Sequence, residues 1–432
     1  MTPWEYTRIF RLLGRVSAWP AKLLTHLPLR AGRRYDGLSF AQWFLLLGVS
    51  LMLCVPHEYW NNLYAVLFAA AALVLYWLEC AGEKKTPCNA ALLGPGVLVF
   101  LLVAVLCTVW AQNKAGSLRV ALFFCTGFVL AYLTAALFGE KAVREKAMAV
   151  LYAVLLALSV YGLVRYFFFS SEAADVPIGG KVYPRLGSTL EHGINFSEYL
   201  AMMLPLALVW ALSARDAKRR AALTIPLLLP LAALLLTYAR TGWIMFALAV
   251  ILLLWYKKKL LLLPAAALAI IALFLLPESI RERFLSMLDF SNASSSGRFV
   301  LWGECFRLWK DNFLFGIGLG PENFYAAYEP YATGLLDFQP PHSNMLYLEM
   351  FLSPGLAGGV SFCSFFFGIL RRLVLARRSL VAGESRWEIQ ALIAALAGAA
   401  LGGIPEYIWF YPRVLFFWCI LFGTALAVSK KS

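Results

Sequence analysis

Apolar residues do not alternate with polar ones along this chain; they come in blocks. Runs such as AVLFAAAALVLYWLEC and IPLLLPLAALLL recur about every 25 to 35 residues, and each approaches the roughly 20 residues that carry a helix across a bilayer. The blocks predict twelve membrane-spanning helices, at residues 40–56, 60–79, 91–110, 117–138, 147–169, 196–213, 221–239, 242–256, 259–276, 344–370, 388–403 and 412–428. The expected architecture is an all-α polytopic membrane protein. A basic amphipathic segment covers 1–39, nine spans follow over 40–276, a mostly helical loop occupies 277–343, and three spans fill 344–432. The first segment, MTPWEYTRIFRLLGRVSAWPAKLL, has neither an uninterrupted apolar core nor a small-residue cleavage site. It is expected to lie on the inner membrane face rather than to act as a signal peptide.

Composition agrees with the pattern. Only 14% of the 432 residues are charged and 61% are hydrophobic, against about 25% charged in a typical soluble domain. The net charge of +14 would suit a nucleic-acid binder, but its distribution gives a simpler account. With the N-terminus inside, 26 of the 38 Lys and Arg fall in inner segments, which is the bias that orients membrane proteins. Both termini are then cytoplasmic, and no nucleic-acid partner is implied. The eight cysteines lie mostly inside apolar runs and show neither metal-ligand spacing nor a disulfide framework.

Two outer loops stand apart, 170–195 and 277–343. The second contains SSSGRFVLWGECFRLWKDNFLFGIGLGPENF, in which Phe299, Trp302, Phe306 and Trp309 recur at helical spacing behind candidate capping serines. An amphipathic helix on the membrane surface or the bundle top is expected. The middles of the spans are nearly free of charge; Glu198 and Glu349 lie near outer helix ends. Transporters and pumps keep ionisable groups at mid-depth, so chemistry at the outer rim is favoured over conduction.

The rim residues are Arg185, His192, Arg240 (ending LLLTYARTGW), Arg298 and His342. Arginines at headgroup depth without a local acidic partner suit a phosphate or diphosphate, which a guanidinium binds through a two-pronged fork. A lipid with its tail in the bilayer and a diphosphate at the rim fits this layout. His342, fixed after two prolines at the head of the tenth span, could handle a proton of a sugar hydroxyl near neutral pH. Glu349, seven residues further on, is expected two helical turns away and out of reach of it. The triplet Gly316, Gly318 and Gly320 is a weak nucleotide signal, because it follows a helix rather than a strand; a tight turn is the better reading.

Taken in order, LLLTYARTGW, SGRFVLWGECFRLWKDNFLFGIGLGPENF and PHSNMLYLEMFLSPGLAG resemble the three-part signature of the O-antigen ligase and polymerase superfamily. YPRLGSTLEHGINFSEYLAMMLPLAL is similar to the segment that precedes it there. The resemblance implies a GT-C-type glycosyltransferase of the bacterial inner membrane. Such an enzyme takes a glycan from undecaprenyl diphosphate at the periplasmic face, with inversion and without metal, nucleotide or other cofactor. The acceptor would be lipid A-core for a ligase, or a second lipid-linked glycan for a polymerase; a lipid-linked glycan flippase is a more distant alternative. Carried over by position, Arg240, Arg298 and Arg185 would hold the donor diphosphate and His342 would act as base or orient the acceptor. Asn195, Asn344, Gly318 and Gly320 would support them.

Overall fold

The computed structural model describes residues 36–169, 175–178, 180–287, 293–336, 339–379 and 386–429. The basic segment expected at 1–39 therefore lies almost wholly outside the described residues. From α1 (Phe40–Cys54), started by a capping box of Ser39 and Gln42, the chain continues through α2 (Asn62–Gly82), α3 (Pro95–Leu106), α4 (Lys114–Leu137) and α5 (Lys141–Phe168). A short antiparallel hairpin follows, β1 (Asp175–Ile178) on β2 (Lys181–Pro184), with Val176 opposite Tyr183. This corrects the all-helical expectation. Val176 and Ile178 alternate inward, a period-two pattern too short to register in the sequence.

Then come α6 (Gly193–Leu212), α7 (Ala217–Thr224), α8 (Leu228–Leu236), α9 (Arg240–Lys258), α10 (Leu262–Leu275), α11 (Glu278–Leu285), α12 (Ala293–Asp311) and α13 (Pro321–Tyr328). The chain closes with α14 (Leu346–Leu352), α15 (Gly355–Ser379), α16 (Arg386–Gly402) and α17 (Pro412–Ser429). Among the described residues, eight helical runs are long and apolar enough to cross a membrane by length and composition, and three apolar helices are shorter. The protein is a helical, multi-pass membrane protein.

One of the eight runs, Arg240–Leu275, spans 36 residues. As a straight helix it would be ~54 Å long. Yet the chain beyond it returns to its start: Arg240 Nη1 donates to Ser286 O at 3.1 Å, and the Tyr238 and Ser279 hydroxyls are 3.0 Å apart. The run must fold over, at the extended Lys258 within the lysine triplet, so α9 descends and α10 comes back. The span expected at 344–370 is broken instead, into α14 and α15, by Pro354 and Gly355.

The bundle interior is built where small residues let helices touch. On α17, a Cβ at Gly423 would stand 2.3 Å from Ala131 O of α4; on α16, one at Gly398 would stand 2.8 Å from Met245 O of α9. Such close approach is how helices associate when apolar side chains gain little from leaving lipid. Between α15 and α17, Phe362, Phe366, Trp409 and Trp418 are buried and packed against one another, with Phe366 stacked on Trp418.

α12 buries Leu301, Cys305 and Leu308 against Phe324, Tyr328 and Leu352. The aromatic stripe singled out in the sequence is split: Phe299 and Phe306 are about half exposed, while Trp309 packs against this cluster. The helix starts at Ala293, so the serines read as caps belong to its first turn.

Candidate functional site

The site grows from a break between α8 and α9. Tyr238 adopts a left-handed backbone (φ 50°), uncommon for a bulky residue. Arg240 therefore opens α9 rather than closing the helix before it, a correction to its expected place. The exposed Tyr238 carbonyl accepts from Arg185 Nη2 at 3.2 Å and from Arg283 Nε at 3.1 Å. Together with the Arg240–Ser286 and Tyr238–Ser279 bonds, these contacts clamp α11 over the turn.

Arg298 approaches from α12 and pairs with Glu406 of the α16–α17 loop, Nη2 to Oε2 at 3.1 Å. The guanidinium charges act on each other. Burial, then Arg240 and Arg298, outweigh the help of Glu406 and bring Arg185 down to about 10. Burial and the charges of Arg240, Arg185 and Arg298 bring Arg283 to about 10 as well. Burial raises the Glu406 carboxyl against the opposing pull of Arg298 and Arg185. Arg298 has no acidic partner nearby in sequence, as expected, but the fold brings it one from 108 residues away.

His342 stands beside this cluster. Burial, with Arg298 adding to it, pushes its imidazole down to about 3. Its ring packs 4.4 Å from Phe410 and edge-on to Tyr407. Nδ1 accepts from the Asn344 backbone N–H at 3.1 Å, which leaves the proton of the neutral ring on Nε2. Asn344 takes a left-handed conformation (φ 51°), which Asn tolerates better than most residues.

Glu349 does not pair with His342 among the described contacts, as expected, but two helical turns are not what separates them. α14 begins only at Leu346, so the loop before it folds back. Glu349 then accepts from Ser343 N (2.9 Å), Ser343 Oγ (2.8 Å) and Ser353 Oγ (2.7 Å). Its carboxylate fixes the residue next to His342.

The glycine turn is stitched to the α14–α15 break. Ile317 N donates to Leu352 O and Gly318 N to Ser353 O, each at 3.0 Å. Gly316 (φ 73°) has no room for a side chain: a Cβ would sit 2.3 Å from Ser353 O. Gly318 packs against Ala111.

Gly320, with His342, lines a cavity of about 590 Å³ whose walls also include Asn62, Arg119, Glu322, Tyr407 and Phe410. None of the four arginines of the cluster lines it. His342 thus borders two compartments, one cationic and one aromatic and polar. Asn195 does not line the cavity; its amide donates to Leu190 O at 3.3 Å and secures the turn before α6. His192 caps that helix through Nδ1, and burial plus Arg185 holds its ring at about 4. Among the described residues no three His, Cys, Asp or Glu side chains are grouped to hold a metal ion.

Arg185, Arg240, Arg298 and His342 were legible in the sequence and do converge. Arg283 and Glu406 were not. Arg283 looks like any basic residue of the charged stretch ESIRERFL. Glu406 left a fainter trace, as the one acidic residue after Glu388, in an apolar stretch of a helical membrane protein.

A multi-pass helical bundle with a cluster of arginines beside an imidazole defines the class: a helical membrane protein with a cationic site. Residues 225–363 match the family model described as O-antigen ligase, so this segment is similar to that family. The matched stretch contains Arg240, Arg283, Arg298, the glycine turn and His342. A search of curated proteins returned no match.

Proposed function

We propose that the protein is a GT-C-type glycosyltransferase of the bacterial inner membrane. It crosses the bilayer twelve times with both termini inside and works at the periplasmic face. It transfers a glycan from undecaprenyl diphosphate to an acceptor hydroxyl, by ligation of O-antigen to lipid A-core. One observation carries the reading. Arg185, Arg240, Arg283 and Arg298 gather within electrostatic reach of one another beside His342, and among the described residues Glu406 pairs with one of them, Arg298. Four guanidinium groups brought together at one place suit a diphosphate.

The chemistry asks little more. As the acceptor oxygen attacks the anomeric carbon, the carbon–oxygen bond to the diphosphate breaks, its electron pair moves onto phosphate, and the proton of the acceptor hydroxyl passes to solvent water. Preorganised guanidinium groups stabilise that charge where it forms. His342 is neutral and carries its proton on Nε2, so it donates a hydrogen bond to a reacting oxygen. Its role is to orient rather than to take the acceptor proton. Holding the hydroxyl in line behind the anomeric carbon is itself a large part of the barrier reduction.

The test is transfer by purified protein reconstituted with labelled lipid-linked glycan. Arg240→Ala and His342→Ala each abolish release of undecaprenyl diphosphate while the protein still inserts; wild-type transfer by both would refute the assignment. Scrambling of the lipid across the bilayer without cleavage would identify a flippase. In a knockout strain, unligated lipid-linked polymer marks a ligase, and single-repeat glycan on lipid A marks a polymerase.

A further inference from the structure

The cavity beside His342 has no part in the diphosphate site, yet it shares a wall with it. We infer that this cavity is a second binding site, which takes the uncharged, hydroxyl-rich saccharide portion of the acceptor. That it serves the acceptor rests on the transferase reading above; that it takes a saccharide rests on the cavity alone.

Its volume, about 590 Å³, falls within the ~300–1,000 Å³ of sites for organic ligands and is far more than a lone ion needs. Charge separates it from the arginine cluster. Arg119 is opposed by Glu322, 4.0 Å away, and Glu191 adds a second carboxylate to the lining. A polyanion finds no surplus of positive charge here. Aromatic surface is plentiful, with Tyr407, Trp409 and Phe410 on the wall that carries His342. Aromatic rings offer apolar faces for the C–H face of a sugar, while hydroxyls need polar groups around the edge.

Two such groups are unsatisfied within the protein. Asn62 and Trp409 both line the cavity, and neither Asn62 Oδ1 nor Trp409 Nε1 has a hydrogen-bond partner. One is an acceptor and the other a donor, and a hydroxyl serves either. Burial of such groups is costly until they are paired. A saccharide seated here presents a hydroxyl to His342, whose other side faces the diphosphate cations.

The distal sugars of the donor share this chemistry, so the experiment separates the two sources. Full-length protein in nanodiscs is assayed with lipid-linked glycan and acceptor glycolipid, as wild type, Asn62→Ala and Arg119→Ala. Each variant raises the acceptor KM at least tenfold and leaves the donor KM within twofold. A rise in the donor KM instead would give the cavity to the donor and overturn the proposal, and so would no change in either KM. If the wild type transfers nothing, the transferase reading fails, and the cavity is decided by a second measurement. Tryptophan fluorescence is titrated with the oligosaccharide released by mild acid from the host lipopolysaccharide. A saturable change that Trp409→Phe abolishes upholds the site; a flat wild-type titration overturns it.

Discussion

Glu406 is the residue whose replacement tests the electrostatics most directly. It holds Arg298 at 3.1 Å, so a diphosphate binding the same guanidinium must share it with a carboxylate. Glu406→Gln keeps the shape and one oxygen for Arg298 but removes the negative charge. A phosphate on the other edge of the guanidinium lies ~6 Å from that carboxylate, where two unit charges repel by ~3 kcal/mol at an effective dielectric constant of ~20. Loss of the charge-assisted bond to Arg298 takes back about 1–2 kcal/mol of its positioning. The net expectation is binding tighter by ~1–2 kcal/mol, or ~5- to 30-fold. Arg298→Ala acts oppositely: a cation is lost, the buried carboxylate is left facing the ligand, and stability falls by roughly 3 kcal/mol. Calorimetric titration of nanodisc-held protein with farnesyl diphosphate, a soluble stand-in for the donor headgroup, reads both variants at one ionic strength. If Glu406→Gln weakens binding as much as Arg298→Ala does, the carboxylate is shaping the arginine rather than competing for it, and the charge argument is wrong.

Two further outcomes follow from local geometry. Because the His342 imidazole titrates at about 3, the transfer rate stays level on its acid side from pH 8 down to pH 5; a fall with a midpoint near 6.5 would contradict the buried neutral ring. The stability effect has a definite sign: a histidine with a depressed folded-state value contributes fully above about 6.5 and loses that contribution as pH falls toward 3. His342→Gln therefore flattens the dependence of the melting temperature on pH within that window. At the glycine turn, Gly316→Ala forces a Cβ to 2.3 Å from Ser353 O at φ 73° and costs about 2–4 kcal/mol. Gly303→Ala on α12, where a Cβ meets nothing within 4 Å, is the control and leaves the melting temperature unchanged or slightly higher.

Much of the fold could be read from one signal. A span is specified by the composition of its own 20 or so residues, and each of the twelve expected segments falls on helix, including the α9 and α10 arms of the long apolar run. What misled the reading were breaks of one or two residues. The φ of Tyr238 moved Arg240 from a helix end to a helix start. Pro354 and Gly355 cut α14 from α15, and the late start of α14 let Glu349 reach Ser343. These breaks are set by tertiary contacts, such as the glycine turn donating to Leu352 O and Ser353 O, and no local propensity encodes them.

The candidate site was legible in a more uneven way. An arginine or histidine in an otherwise apolar rim is conspicuous by itself, because burying charge is expensive and needs a reason. Whether such a cation is available to a ligand is a different question, answered by partners that lie elsewhere in the chain. Glu406 is 108 residues from Arg298, and Arg185 reaches Tyr238 across 53. A window that identifies the cations cannot see the anion that tempers them. How the cations group, and how far they are offset, is a property of the folded rim. Arg283, which no motif marked, belongs to the same cluster as Arg240, which one did.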